Sequence, residues 1–425
     1  MKDHKQIGIE QELYYFDELS PGSCFFLPNG ARIHKKLKQY IEKEYWNRGF
    51  EEVITPIIAK NKLWMISGHW QKYKDDMFGI TNNKGNLIDG YELEQQDNNN
   101  QEDVENEDHI HENGYMMCAM NCPKHCLIFN SRSRSYKELP IRLADFGMLH
   151  RNEETGSLRG LFRTRCFQQD DAHIFCRRNQ IRDEISNCLN FLETVYDKVH
   201  LDFTLELSTR PEQFIGSEEI WNDAEKQLEE LLNEYSNKSG RKWNLNKGDG
   251  AFYGPKIDIH VKDSLGRSHQ CATIQLDFNL PSSKRFNLTY INESGNNEEP
   301  VIIHRAIFGS FGRFMGILTE HFQGKWPFWL SPRQIKIIPI SEKFIPYAQK
   351  VNDILHKEGF YVDIDVSDNK MQYKILMAQT NMYNYMIVVG QKEMDNNTIN
   401  VRYRDISDKK EISVDDFINE LKLLL

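Results

Sequence analysis

Residues 163–176 read Arg-Thr-Arg-Cys-Phe-Gln-Gln-Asp-Asp-Ala-His-Ile-Phe-Cys. The run predicts a strand over Arg163–Cys176, and alternation would turn Arg163 and Arg165 to one face. Two more strands are expected over Lys256–Val261 and Cys271–Asn279. Helices are expected over Asn187–His200 and Asp223–Tyr235. Strands divided by turns predict an α+β domain with a mainly antiparallel sheet.

Upstream, apolar positions Ile33, Leu37, Tyr40, Ile41 and Tyr45 fit a helix over Ala31–Arg48, with Gly49 as its stop. Glu52–Ile58 reads as a strand interrupted by Pro56, which points to a sheet edge or an interface. Residues 81–114 are acidic and Asn-rich and read as an insertion loop. Residues 333–425 alternate strand, helix, strand, helix, strand. They predict a smaller α/β domain with parallel pairing, closed by a helix from Val414 with Ser413 as N-cap. The two prolines in 324–332 place the junction near 330, so the expected domains are 1–330 and 331–425.

The chain has 53 Lys and Arg against 63 Asp and Glu, a formal charge of -10. Ten of those acids lie in residues 85–114, which hold no Lys or Arg. Outside that stretch the charges balance, so the net charge does not exclude an RNA partner. No apolar run reaches the roughly 18 residues of a membrane span. No export signal is visible, so the eight cysteines are expected as thiols or metal ligands.

Neither a phosphate-binding P-loop nor a G-x-G-x-x-G turn is present. Phosphate would then be met by arginines. Residues 132–165 hold eight basic side chains against four acidic ones. Guanidinium forks grip phosphate oxygens and keep their charge when buried. A solvated basic face is the plain alternative. Cys118, Cys122 and Cys126 with His125 do not form a self-contained zinc motif. An open zinc site needs only three ligands, from any segments, and His173 and His304 are candidates.

Five strings together carry a resemblance. They are Leu149-His-Arg-Asn-Glu153, Phe167–Cys176, Gly248-Asp-Gly-Ala-Phe-Tyr-Gly-Pro-Lys256, Gln270–Phe278 and His304-Arg-Ala-Ile-Phe-Gly-Ser310. The chain resembles class II aminoacyl-tRNA synthetases, and among them the threonyl family in its eukaryotic cytosolic type. The resemblance implies a cytoplasmic ligase that joins threonine, through an adenylate formed from ATP, to threonine tRNA. It implies Arg151 on the α-phosphate, Glu153 by the adenine, Arg163 near the γ-phosphate and Arg313 clamping from the other side. Magnesium would accompany the ATP.

The same resemblance implies one zinc ion on Cys122, His173 and His304, ligated by the threonine amino and hydroxyl groups. That solves a discrimination problem, because an apolar pocket separates threonine poorly from near-isosteric valine. Gln169, Asp171, Tyr253, Lys256, Gln270 and Ser310 match positions around the amino acid, and Gln275 a position by the nucleotide. His69 matches a histidine that assists transfer. Residues 333–425 resemble an anticodon-binding domain, with Glu393 and Arg402 on anticodon bases. The region 31–58 resembles the first class motif, which builds a homodimer. The family's N-terminal editing domain has no counterpart in this sequence, so some serine charging without correction is expected.

Two departures stand out. The family has glycine where Lys124 stands, and a glycine of positive φ there would leave lysine strained. It has glutamate where Gly312 stands. Two other readings compete: a non-catalytic RNA-binding relative, and a synthetase for another amino acid. Retention of the arginines and of the three metal-type residues weighs against both.

Overall fold

The computed structural model describes residues 2–81, 114–263 and 266–425. The expected loop at 81–114 lies outside the described residues except at its two ends. The chain forms two compact units. One comprises Phe16–Cys24 and Ile41–Gly316; the other comprises Met1–Tyr15, Phe25–Tyr40 and Ile317–Leu425.

The larger unit is built on a nine-stranded sheet. Its strands are β1 (Glu51–Glu52), β2 (Ile141–Asp145), β3 (Met148–His150), β4 (Cys166–Cys176), β5 (Thr204–Ser208), β6 (Trp243–Asn246), β7 (Lys256–Lys262), β8 (Ser268–Asp277) and β9 (Val301–Ser310). Their order is β6-β5-β7-β8-β9-β4-β2-β1, with β3 also on β4. The central pairs β7/β8, β8/β9 and β9/β4 are antiparallel, as expected. Among the described residues, only the margins of this sheet, β5/β6 and β1/β2, pair in parallel.

The register decides which side chains share a face. Lys256 lies opposite Gln275, Gln275 opposite His304, and His304 opposite His173. Alternation then places Gln169 and Asp171 beside His173, and Asp258 beside Lys256, on that polar face. The reverse face carries Ile257, Ile274, Ile303 and Ile174, all buried. Helix α3 (Ile181–Lys198) lies against β9 and buries Ile185, Leu189, Leu192 and Val195. Each such fully buried side chain contributes about 1.5–3 kcal/mol.

Three expectations need correction. The strand begins at Cys166, so Arg163 and Arg165 precede it. Arg163 closes a 3-10 turn, and Arg165 donates its backbone N–H to Gly22. The stretch 52–58 is not one strand. Glu51–Glu52 pairs with β2, while Ile58–Lys60 pairs with Tyr115–Met117 in another sheet. Pro56, lacking an N–H, sits at the break. Helices α3 and α4 (Glu218–Ser239) start earlier than the apolar periodicity alone suggested. Helix α1 (Pro28–Asn47) stops as expected before Gly49, whose φ is 71°.

In the smaller unit the sheet order is β11-β10-β12-β13-β14. These are β10 (Ile335–Pro339), β11 (Val362–Ile364), β12 (Tyr385–Val389), β13 (Thr398–Tyr403) and β14 (Lys409–Ser413). The first three pair in parallel as expected. Two antiparallel strands then extend the sheet, which the reading of 333–425 had missed. Ser413 caps the last helix, its Oγ accepting from Asp416 N at 3.1 Å.

Candidate active site and metal centre

Cys122, His173 and His304 converge on the polar face, all buried, with one ligand atom of each within 4.8 Å of the others. His173 and His304 are cross-strand neighbours on β4 and β9. Cys122 opens helix α2 (Cys122–Phe129). Two further contacts orient the rings. His304 Nε2 lies 2.9 Å from Asp277 Oδ2, which leaves Nδ1 free. His173 Nδ1 lies 2.8 Å from His125 Nδ1, which leaves Nε2 facing only the Asp171 carboxylate, 4.0 Å away, among the described residues. His125 Nε2 in turn faces Asp145 Oδ2 at 3.6 Å.

This donor set fits zinc. One sulfur and two imidazole nitrogens are borderline-soft ligands, and a tetrahedral ion separates its donors by roughly 3.5 Å. Oriented rings backed by a carboxylate are the usual outer shell of such an ion. Burial holds the Cys122 thiol well above its ordinary pKa and His173 well below. A buried cation is what would favour the thiolate.

Beside the cluster opens a cavity of about 490 Å³. Arg151, Glu153, Arg163 and Arg313 line it, with Gln169, Tyr253, Lys256, Gln270, Gln275 and Ser310. Ten of the expected site residues thus share one hollow. Tyr253 joins it to the Cys/His/His cluster, its ring 5.1 Å from that of His304. Arg151 packs over the Phe167 ring at 5.2 Å and donates to Ala119 O at 3.3 Å. Arg313 donates to Phe162 O at 2.9 Å and Gln270 O at 3.0 Å. Burial, with Arg151 and Arg163 nearby, lowers the Arg313 pKa. Glu153 pairs with Arg163 here, while Arg151 and Arg313 repel one another unless an anion lies between them.

Two acids that the sequence reading did not single out hold the site in place. Asp258 is buried and accepts from Lys256 Nζ and Ser208 Oγ, each at 2.7 Å, from Thr273 Oγ1 at 3.2 Å, and from Gln270 Nε2. Asp170 lies on the reverse face. It accepts the backbone N–H groups of Ile307, Phe308 and Gly309 at 2.8–3.1 Å, so it fixes the segment leading to Ser310. One signal for Asp258 was available: a lone acid inside the apolar alternation Ile257-Asp-Ile259.

Other expected residues are placed as follows. Arg163 and Glu153 form an ion pair at 2.7 Å. His69 is buried, its Nδ1 2.7 Å from Ser67 Oγ and its Nε2 3.9 Å from Cys122 Sγ. Burial pushes its pKa down to about 3, so it is neutral. Asp171 Oδ1 lies 4.0 Å from His173 Nε2. Glu393 and Arg402 belong to the smaller unit, where Glu393 Oε2 accepts from Gly390 N at 2.9 Å. Lys124 is not strained. It sits within α2, outside the positive-φ residues, and its ammonium reaches Pro56 O at 3.1 Å. A Cβ at Gly312 would meet no described atom closer than 3.8 Å, so the first carbon of a side chain there is not excluded.

Residues 104–322 match the family described as the tRNA synthetase class II core domain (G, H, P, S and T). Residues 334–424 match the anticodon binding domain family. The chain is 52% identical, over its full length, to cytoplasmic threonine–tRNA ligase 1 of Rattus norvegicus and of Homo sapiens. It spans about half the length of these relatives, 56% and 54%. Among solved structures, the RNA-binding domain of threonyl-tRNA synthetase from Cryptosporidium parvum Iowa II is 45% identical. The match covers 100% of this chain and 98% of that one, with a TM-score of 0.88. A putative threonyl-tRNA synthetase from Aeropyrum pernix is 27% identical over 99% of this chain and 94% of its own, with a TM-score of 0.78.

Proposed function

The chain belongs to the class II tRNA synthetases, in the threonyl family, and from that premise we propose that it attaches threonine to threonine tRNA through an adenylate made from ATP. The observation that carries this reading is the joining, on one sheet face, of an arginine-lined cavity to a Cys/His/His cluster. The first chemical step is displacement at the α-phosphate. It needs orientation and charge neutralisation more than a covalent nucleophile.

Arg151 and Arg313 hold the triphosphate between them, with Arg163 toward its far end and Glu153 and Gln275 beside the nucleotide. Gln169, Gln270 and Tyr253 orient the amino acid, and Lys256 and Ser310 complete the pocket. Asp171 accepts from the threonine hydroxyl. Cys122, His173 and His304 would hold zinc, which when bound supplies a Lewis acid for the amino and hydroxyl groups. Magnesium would neutralise the phosphates. His69, neutral and buried, receives the terminal ribose. The smaller unit binds the anticodon, with Glu393 and Arg402 on its bases.

Trp46 and Ile54 are 71% and 92% exposed around the Pro56 region. Exposed apolar side chains in the region 31–58 support pairing with a second copy there. Relatives named as cytoplasmic support the same compartment here. Among the described residues, no helix is long and apolar enough to cross a membrane.

ATP–pyrophosphate exchange with threonine, valine and serine tests the reading, with and without a zinc chelator. Threonine-dependent exchange that disappears on chelation, while circular dichroism stays unchanged, is expected. Exchange that ignores threonine would sink it.

A further inference from the structure

A second cavity, of about 250 Å³, lies on the reverse face of the same sheet. Arg305 follows His304 on β9, so alternation turns it away from the metal cluster. It is 1% exposed and lines this cavity. Three aromatic rings surround the guanidinium: Tyr45 at 4.4 Å, Phe50 at 4.3 Å and Phe191 at 4.7 Å. Nη1 donates to the Tyr45 hydroxyl at 3.2 Å.

Among the described residues, neither Nε nor Nη2, both buried, has a hydrogen-bond partner. These two nitrogens form one edge of the guanidinium, the fork that grips an oxyanion through two parallel bonds. The nearby carboxylates are already engaged. Asp170 accepts three backbone N–H groups and the Tyr45 hydroxyl. Glu184 takes Arg142 Nε at 2.7 Å and Nη2 at 2.6 Å. A buried cationic fork left empty is unfavourable. Arg48, Arg142 and Arg305 line the hollow; Glu44 pairs with Arg48 and Glu184 with Arg142, which leaves the Arg305 edge as the cationic group without a carboxylate on it. Asn187 and Asn190, both exposed on α3, mark its mouth.

We propose that this cavity binds a small oxyanion, a phosphate or a low-molecular-weight carboxylate, on the Nε/Nη2 edge of Arg305. The volume corresponds to about eight waters, enough for such an ion with part of its hydration. The site is separate from the nucleotide cavity, on the other side of the sheet. Because Arg305 adjoins His304, and Asp170 anchors residues 307–309, an occupant would stiffen the strand that carries both.

A crystal of the full chain soaked in selenate gives a direct reading from the selenium anomalous signal. A peak within hydrogen-bond distance of Arg305 Nε and Nη2 is expected. Thermal unfolding supplies the second measurement. Phosphate and malonate, each against chloride at equal ionic strength, should raise the midpoint saturably, and the better of the two identifies the ligand class. R305K keeps the charge but loses the fork, and should raise the half-saturating concentration at least about tenfold. R151A, in the other cavity, should leave that concentration unchanged. Selenate found only between Arg151 and Arg313 would overturn the proposal, and so would water alone on Arg305. A carboxylate from a second copy of the chain seated in the fork would overturn it too. The wild-type crystal decides the matter even if R305K fails to fold.

Discussion

Asp258 Oδ2 accepts a hydrogen bond from Lys256 Nζ at 2.7 Å, two residues away on the same strand. The same carboxylate holds Gln270 and Thr273 from the neighbouring strand. It is therefore a positioning residue for three groups that line the arginine-rich cavity. Asp258→Asn keeps the shape but supplies one donor where only acceptors are wanted. Exchange activity should drop about 10²-fold, as expected when reacting groups are misplaced by about an ångström. Stability should fall by about 1–3 kcal/mol, read by urea unfolding. A variant with full activity would remove Asp258 from this role.

Asp277 performs the corresponding service for His304 at 2.9 Å. Asp277→Asn loosens the ring and weakens its basicity. Zinc affinity, measured by competition with a chromogenic chelator, should fall about 10–100-fold. The far-ultraviolet spectrum should not change. Equal affinity in the two proteins would mean that His304 does not bind zinc through an oriented ring.

Arg163 pairs with Glu153 at 2.7 Å, although the proposed roles send one to the phosphates and the other to the adenine. Substrate has to separate them. Arg163 is half exposed, so the pair itself contributes little to stability, about 0–1 kcal/mol. Arg163→Ala should leave the melting temperature almost unchanged while raising the KM for ATP. A large loss of stability with unchanged KM would mark the pair as purely structural.

Asp170 offers a pH test. Burial raises its carboxyl pKa to about 7, against the opposing pull of the backbone N–H groups. In the unfolded chain the group titrates near ~3.9. The folded state thus holds the proton more tightly, and this group's contribution to stability is lost as pH rises from about 4 through about 7. Asp170→Asn cannot ionise. The stability of the native chain relative to that variant should therefore decline between pH 5 and pH 8, followed by urea unfolding at each pH. A difference that stays constant with pH contradicts the shift.

Much of the site was legible because its parts are distinctive residue types on strands of simple alternation. His173, His304 and Gln275 sit where period two places them, and their convergence needed only the antiparallel pairing. Arg163 and Arg165 were misread because a polar run before a strand carries no mark of where pairing begins. A 3-10 turn ends at Arg163, set by contacts distant in sequence. Asp170 and Asp258 escaped notice for another reason. Their importance lies in what they accept from other strands, which no local pattern reveals. Strands β13 and β14 were missed because Ile399 and Val401 give an alternation too short to stand out.

The shared register of β7, β8, β9 and β4 has an evolutionary consequence. Outside the register shifts at Ile259/His260 and between Ala306 and Ser310, adding or deleting a single residue within one of these strands would invert its inward and outward side chains from that point on. A ligand or a clamp residue would then point into the apolar reverse face, and an isoleucine into the polar hollow. Substitutions can be tried one at a time on such a surface, but length changes cannot. Lineages of this chain should vary in length between strands and hardly at all within them.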